Sequence, residues 1–304
     1  MALALSDHSS TVTITPPPSR RRRFVVSKIG RIGGISLIAT YLSIIVVIPV
    51  TALVLHGIGF GISTNGAGPA LWRWSWHLSP MVFIHALQLP GAVHAIVLSL
   101  WLSLLVAFIN CVMGLAIAWV LVRDEFPGKR ILDGFIDLPF ALPTIVAGVV
   151  FVFLYGPASP LHVDLFETWI GLMVALLFVT IPFSVRAVQP VLEHLDRADE
   201  EAALTLGAGP GRRYLTVVLP SLAPAALAGF GLAFARAIGE FGSIALISGG
   251  VARTTPGSAY VFMLTGSFQW AQAAAVSTAL LLLSLVVLIT SSVASRRISK
   301  RLGS

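Results

Sequence analysis

Charged side chains are scarce in this sequence. They make up 11% of its 304 residues, while 56% are hydrophobic; a soluble domain carries about 25% charged residues. A chain so poor in charge cannot cover a water-facing surface. That excludes a soluble globular fold and points to the bilayer as solvent. Cysteine is almost absent as well. The single Cys111 forms no intrachain disulfide, and inside an apolar run it reads as a packing residue. A phosphate-binding loop is missing: the lone Gly-Lys pair, Gly128-Lys129, has Arg123 where the first Gly belongs and Arg130 where Ser or Thr belongs. None of the seven histidines (His8, His56, His77, His85, His94, His162, His194) pairs at the i, i+4 spacing that sets two imidazoles toward one metal. No nucleophile–base cluster is visible either. The expectation is therefore no catalytic residue, no metal and no cofactor. The net charge is +7, but the basic residues stand at the ends of apolar runs rather than on one face, which argues against nucleic acid as a partner.

Long apolar runs are what the sequence does have. A hydrocarbon core about 30 Å thick needs roughly 20 apolar residues of helix. Six stretches qualify, starting near residues 33, 93, 135, 168, 221 and 271 and ending near 57, 122, 155, 188, 247 and 294. The third is weakened by Pro139 and Pro143 near its start. The expected fold is all-α, a polytopic membrane protein with about six transmembrane helices. Residues 1–32 read as a disordered basic tail and 33–57 as a retained first span. Its apolar run is too long for a signal peptide, and no small-residue cleavage pattern follows. Residues 58–92 form an outer loop whose Trp72, Trp74 and Trp76 suit an interfacial belt. Residues 93–295 form the main membrane domain, and 296–304 a second basic tail.

Orientation follows from the basic residues outside the spans. With the N-terminus inside, the inner segments hold six (Arg20, Arg21, Arg22, Arg23, Lys28, Arg31), three (Arg123, Lys129, Arg130), four (Arg186, Arg197, Arg212, Arg213) and four (Arg296, Arg297, Lys300, Arg301), or 17 of the 20. The outer loops hold Arg73 and Arg253, and Arg236 lies within the fifth span. The positive-inside bias therefore puts both termini in the cytoplasm.

The inner loop 189–220 carries the sharpest pattern. Asp199, Glu200 and Glu201 begin a short helix whose dipole favours anions, with Asp196 or Asp199 as its cap. Gly207 suits a left-handed stop. Pro210 and Gly211 read as barriers to a restart, and Pro220 as the first turn of the next helix. A helix this short persists only when packed on something. Glu201-Ala202-Ala203, three residues, Gly207, nine residues, then Val217-x-Leu219-Pro220 resembles the EAA loop of ABC importer permeases, with Val217 in place of the usual Ile. The resemblance covers roughly residue 92 to the C-terminus. It implies a type I importer permease fold in which Glu201, Ala202, Ala203, Gly207, Leu219 and Pro220 couple to cytoplasmic ABC ATPase subunits.

A second cluster lies inside the fifth span. Arg236 and Glu240 are four apart on one helix face, with Ser243 just beyond. Charges within a membrane are costly. The cluster reads either as a mutually neutralised packing pair or as part of a gate or anion path. The segment Arg236-Ala-Ile-Gly-Glu240-Phe-Gly-Ser243 is similar to the oxyanion importers of the family. Leu138-Pro139-Phe140-Ala141-Leu142-Pro143-Thr144 and the run from Ile181 through Arg186 to Pro190 are similar to its sulfate/thiosulfate members, specifically their T-type permease. The resemblance implies as partners a second homologous permease, an extracytoplasmic sulfate-binding protein, sulfate or thiosulfate, and membrane lipid, with ATP hydrolysed by a separate subunit at the cell inner membrane. The alternatives are a molybdate or tungstate permease and, in a different class, an ion-coupled secondary transporter. The latter would place coupling carboxylates at the midplane, where the candidate is Glu240, already faced by Arg236.

If both termini are inside, alkaline phosphatase fused after Ser304 is inactive and a fusion near Gly68 is active. An active reporter at Ser304 would overturn the orientation.

Overall fold

A computed structural model describes residues 28–58 and 80–302, and among these every regular element is helical. The Arg20–Arg23 run and the loop carrying Trp72, Trp74 and Trp76 lie outside the described residues. The chain divides into two compact units, residues 1–49 and 50–304. In the first, a helix from Lys28 passes through a π turn at Ser43–Val47, two residues before Pro49. A proline ring collides with the carbonyl four residues back, and the wider π turn relieves that collision. The apolar helix α1, Ile35–Gly57, is long enough to cross a membrane.

The second unit contains α2 (Pro80–Gln88), α3 (Ala92–Arg123), α4 (Lys129–Ala141), α5 (Thr144–Tyr155), α6 (Trp169–Glu193), α7 (Arg197–Thr205), α8 (Pro210–Ile238), α9 (Gly242–Ile247), α10 (Gly257–Gly266) and α11 (Trp270–Leu302). With α1, helices α3, α6, α8 and α11 are long and apolar enough to span a bilayer. The third expected span, near 135–155, is not one rod. Its two halves, α4 and α5, meet at 110°. Leu142, directly before Pro143, is extended at φ −87°, ψ 129°, because a following proline disfavours the helical region.

Two further expectations are corrected. The fifth span does not run through to Ile247; α8 ends at Ile238, and α9 starts afresh after Gly239–Phe241. Pro210 and Gly211 do not block a restart, since Pro210 opens α8, where its missing N–H belongs to the unbonded first turn. Pro220 therefore lies within α8. A π turn at Tyr214–Val218 precedes it, with the Leu219 N–H reaching the Tyr214 carbonyl, the same relief seen before Pro49.

Helices α3, α6 and α8 pack together, and α11 packs on α8. Two spacings make this close. A Cβ on Gly114 of α3 would meet the Ser184 Cβ of α6 at 2.7 Å, and one on Gly229 of α8 would meet the Ser184 Cα at 3.2 Å. Small residues allow such approach in a bilayer, where association rests on van der Waals contact and hydrogen bonds. Asn110 of α3 adds a polar tie, its Nδ2 donating to Thr180 Oγ1 at 2.8 Å and to the Leu177 carbonyl at 3.2 Å in α6. Phe234, Leu102, Leu172 and Ile247 fill the remaining core.

A further close contact joins α9 to α5. A Cβ on Gly242 would stand 2.2 Å from Thr144 Oγ1 and 2.7 Å from the Ile145 amide nitrogen. Gly242→Ala is expected to cost about 1–3 kcal/mol through overpacking. Gly134→Ala, on the exposed side of α4 with no atom near the new methyl, should be neutral or stabilise by up to about 1 kcal/mol. Thermal melting of the detergent-purified chain measures both.

Candidate functional site

Helix α7 starts and stops through its own side chains and backbone. The Asp196 carboxylate accepts the Ala198 N–H at 2.9 Å and caps the first turn. At the other end Gly207 takes φ +79°. Its N–H donates to the Leu204 carbonyl, and the Ala208 N–H to that of Ala203, each at 2.9 Å. This pair of bonds is the Schellman arrangement, which asks for a residue that tolerates positive φ. Asp199 and Glu200 occupy the first turn; Glu201, expected there too, stands one residue beyond it.

The helix has two unlike sides. Glu201, Ala202, Leu204, Leu206 and Gly207 are exposed, Leu206 at 87%. Glu200 is only 8% exposed. Arg123, the last residue of α3, donates from Nη2 to Glu200 Oε1 at 2.6 Å, and Arg213 of α8 brings Nε to 3.5 Å from Oε2. The Arg123 guanidinium also lies 5.8 Å from the ring centre of Trp119, whose ring meets Tyr214 edge-on at 5.2 Å. Leu219 and Pro220 stand on α8 and are half-buried, beside the fully buried Val218. Glu201, Ala202, Ala203 and Gly207 thus share one element, while Leu219 and Pro220 belong to the next.

The second expected cluster does assemble. Glu240 is 1% exposed and forms an ion pair with Arg236 Nη1, whose side chain is 33% exposed. The other carboxylate oxygen, Oε1, accepts from Ser243 N at 3.0 Å and Ser243 Oγ at 3.1 Å. The Ser258 hydroxyl donates to the Glu240 carbonyl. Glu240 therefore does two things at the break between α8 and α9. It neutralises Arg236, and it satisfies an amide left free at the start of α9, which a bilayer would not hydrate.

A third cluster was not anticipated. Arg186 of α6 donates from Nε to Asp137 Oδ1 at 2.9 Å, from Nη2 to Asp137 Oδ2 at 2.6 Å, and from Nη1 to Asp133 Oδ1 at 2.6 Å. The pairing with Asp137 is bidentate, the strong geometry for guanidinium and carboxylate. It fastens α4, the half of the broken span nearer the basic loops, to α6. A signal existed: Asp133 and Asp137 sit at i, i+4 just before an apolar run. Glu200 was missed differently. It stood among three acidic neighbours and read as a dipole residue, with nothing in its spacing to mark which one turns inward.

Residues 110–303 match the model of a family described as the inner-membrane component of binding-protein-dependent transport systems. The chain is 41% identical over 215 residues to a Nephroselmis olivacea protein named as a probable sulfate transport system permease protein cysT, covering 68% of this chain and 76% of that one. It is 40% identical over 220 residues to the Escherichia coli K12 sulfate transport system permease protein CysT, covering 70% and 79%. Its fold is similar to that of a bacterial ABC transporter involved in import of the acidic polysaccharide alginate, with a TM-score of 0.70 at 16% identity, over 90% of this chain and 98% of that one.

Arg236→Ala strands the buried Glu240 carboxylate. Breaking a fully buried pair costs about 3–5 kcal/mol. Here about 2 kcal/mol is expected, because Arg236 is a third exposed and Ser243 still donates to the carboxylate. Arg236→Ala combined with Glu240→Gln removes both charges yet keeps an oxygen for Ser243, so it should melt closer to the unsubstituted chain. A double variant less stable than Arg236→Ala would show that the two charges are not a mutually neutralised pair.

Proposed function

The chain belongs to the inner-membrane components of binding-protein-dependent transport systems and has the all-α fold of type I ABC importer permeases, and on that premise we propose that it is the subunit through which sulfate or thiosulfate crosses the cell membrane. The substrate class rests on the names of relatives about 40% identical over two thirds of this chain or more. The observation that carries the mechanism is α7, capped at both ends, pinned on one side and bare on the other.

In this reading the bare side, with Glu201, Ala202, Leu204 and Leu206, docks on a cytoplasmic ATPase subunit. Exposed leucines on a helix outside the bilayer are a surface waiting for a partner. Glu201 offers its charge to donors of that partner. ATP is bound and hydrolysed there, since this chain has no phosphate-binding loop of the Gly-Lys-Ser/Thr kind. A second homologous permease completes the pathway, and an extracytoplasmic binding protein delivers the dianion from outside. ATP-driven movement of the ATPase pair shifts the coupling helices and switches access from one side to the other. Both termini lie in the cytoplasm, on the same side as α7. Arg236, Glu240 and Ser243 hold the break in α8–α9, and in this reading the exposed part of Arg236 contributes to a gate or anion path.

Glu201→Lys and Gly207→Val test the docking face. No described residue lies within 4 Å of a Cβ on Gly207, so the valine costs only the left-handed conformation, about 1 kcal/mol or more, and points its bulk outward. Both variants should insert and fold, yet lose ATPase co-purification and radiolabelled sulfate uptake. Normal recruitment and uptake in both would remove the support for α7 as a coupling helix.

A further inference from the structure

We propose that Glu200, together with Arg123 and Arg213, is the linkage that passes movement of α7 into the membrane helices, so that Glu200 is a positioning residue for transport rather than a docking residue. The proposal rests on reading α7 as the ATPase-docking helix.

Glu200 points away from the docking face. Among the described residues, its ion pairs with Arg123 and Arg213 are those that join α7 to a spanning helix. The two arginines come from different spans: Arg123 closes α3, and Arg213 lies in the first turn of α8. One carboxylate therefore holds the ends of two membrane helices, one on each oxygen. The Arg123 side chain is committed to this contact. It is 12% exposed, it donates to Glu200 at 2.6 Å and it lies over Trp119.

A buried ion pair adds little net stability, because desolvation offsets most of the attraction, but it specifies position sharply. Besides Glu200, the one residue of α7 that is not exposed is Ala203, which is half-buried. Methyl groups slide over one another at low cost. A short charge-assisted hydrogen bond does not. When a partner displaces α7, the ends of α3 and α8 must follow Glu200. Those helices pack on α6 through Gly114, Ser184 and Gly229, so the displacement enters a closely packed bundle.

The test uses the complete importer, reconstituted in vesicles with its ATPase and its sulfate-loaded binding protein. Three quantities are read for each variant: ATPase co-purification, ATP hydrolysis and labelled sulfate accumulated per ATP. Glu200→Gln keeps the shape and removes the charge. It should retain the ATPase within about two-fold while sulfate moved per ATP falls at least five-fold. Glu200→Asp keeps the charge and should retain at least half of the normal ratio. A normal ratio in Glu200→Gln, or an equal loss in the Gln and Asp variants, overturns the linkage. So does loss of ATPase binding in Glu200→Gln, because that would place the charge in docking. Failure of the unsubstituted chain to bind an ATPase would instead overturn the docking reading, and the linkage with it.

Discussion

A bilayer supplies no hydrogen bonds, so each place where a helix breaks or a charge enters must be closed by the protein itself. In this chain arginine–carboxylate contacts do that closing, and each sits at an irregularity. Arg236 and Glu240 close the break between α8 and α9. Arg186 with Asp133 and Asp137 fixes α4, which departs from α5 at 110°. Arg123 and Arg213 with Glu200 hold the short helix α7. Pro143 sets the break between α4 and α5, and the ion pairs fix where the pieces beside such breaks lie.

The straight parts are held differently. Between apolar helices in lipid the hydrophobic effect gives no net drive, and close contact must supply it. Gly114 and Gly229 approach Ser184 from two sides, and Gly148 and Gly242 bring α5 against α9. Such contacts are close yet undirected. They allow helices to lie near one another without fixing rotation or register, and the charged contacts supply that direction. The two kinds of contact meet on α6, where Ser184 and Arg186 are two residues apart.

Length and apolarity made the five long helices legible, and caps made α7 legible: Asp196 and Gly207 act as their chemistry suggests. The breaks were harder to read. Pro143 and Gly239 were visible, but whether a proline or glycine bends a helix depends on what the freed groups find next. Pro182, Pro190 and Pro220 lie within helices that continue, because neighbours or a π turn absorb the lost bond. The Arg236–Glu240–Ser243 cluster was legible since its members are local in sequence. The Glu200–Arg123 and Arg186 contacts were not, because their partners lie 77 and 53 or 49 residues away and only the packed bundle brings them together.

That division bears on how α7 works. A helix of nine residues is too short to persist alone in water, so its anchors determine where it exists. Its caps are internal to the segment and would move with it. Its ion pairs are the only side-chain contacts of that strength among the described residues that lead elsewhere, and they lead to α3 and α8. The opposite face, with Glu201, Leu204 and Leu206, is exposed among the described residues. An element anchored strongly on one side and bare on the other cannot absorb a push by deforming internally, since it has too few turns to bend. It must either detach or carry its anchors along. Carrying the anchors along keeps the 2.6 Å contact of Glu200 with Arg123 and the ion pair with Arg213, whereas detachment gives up both.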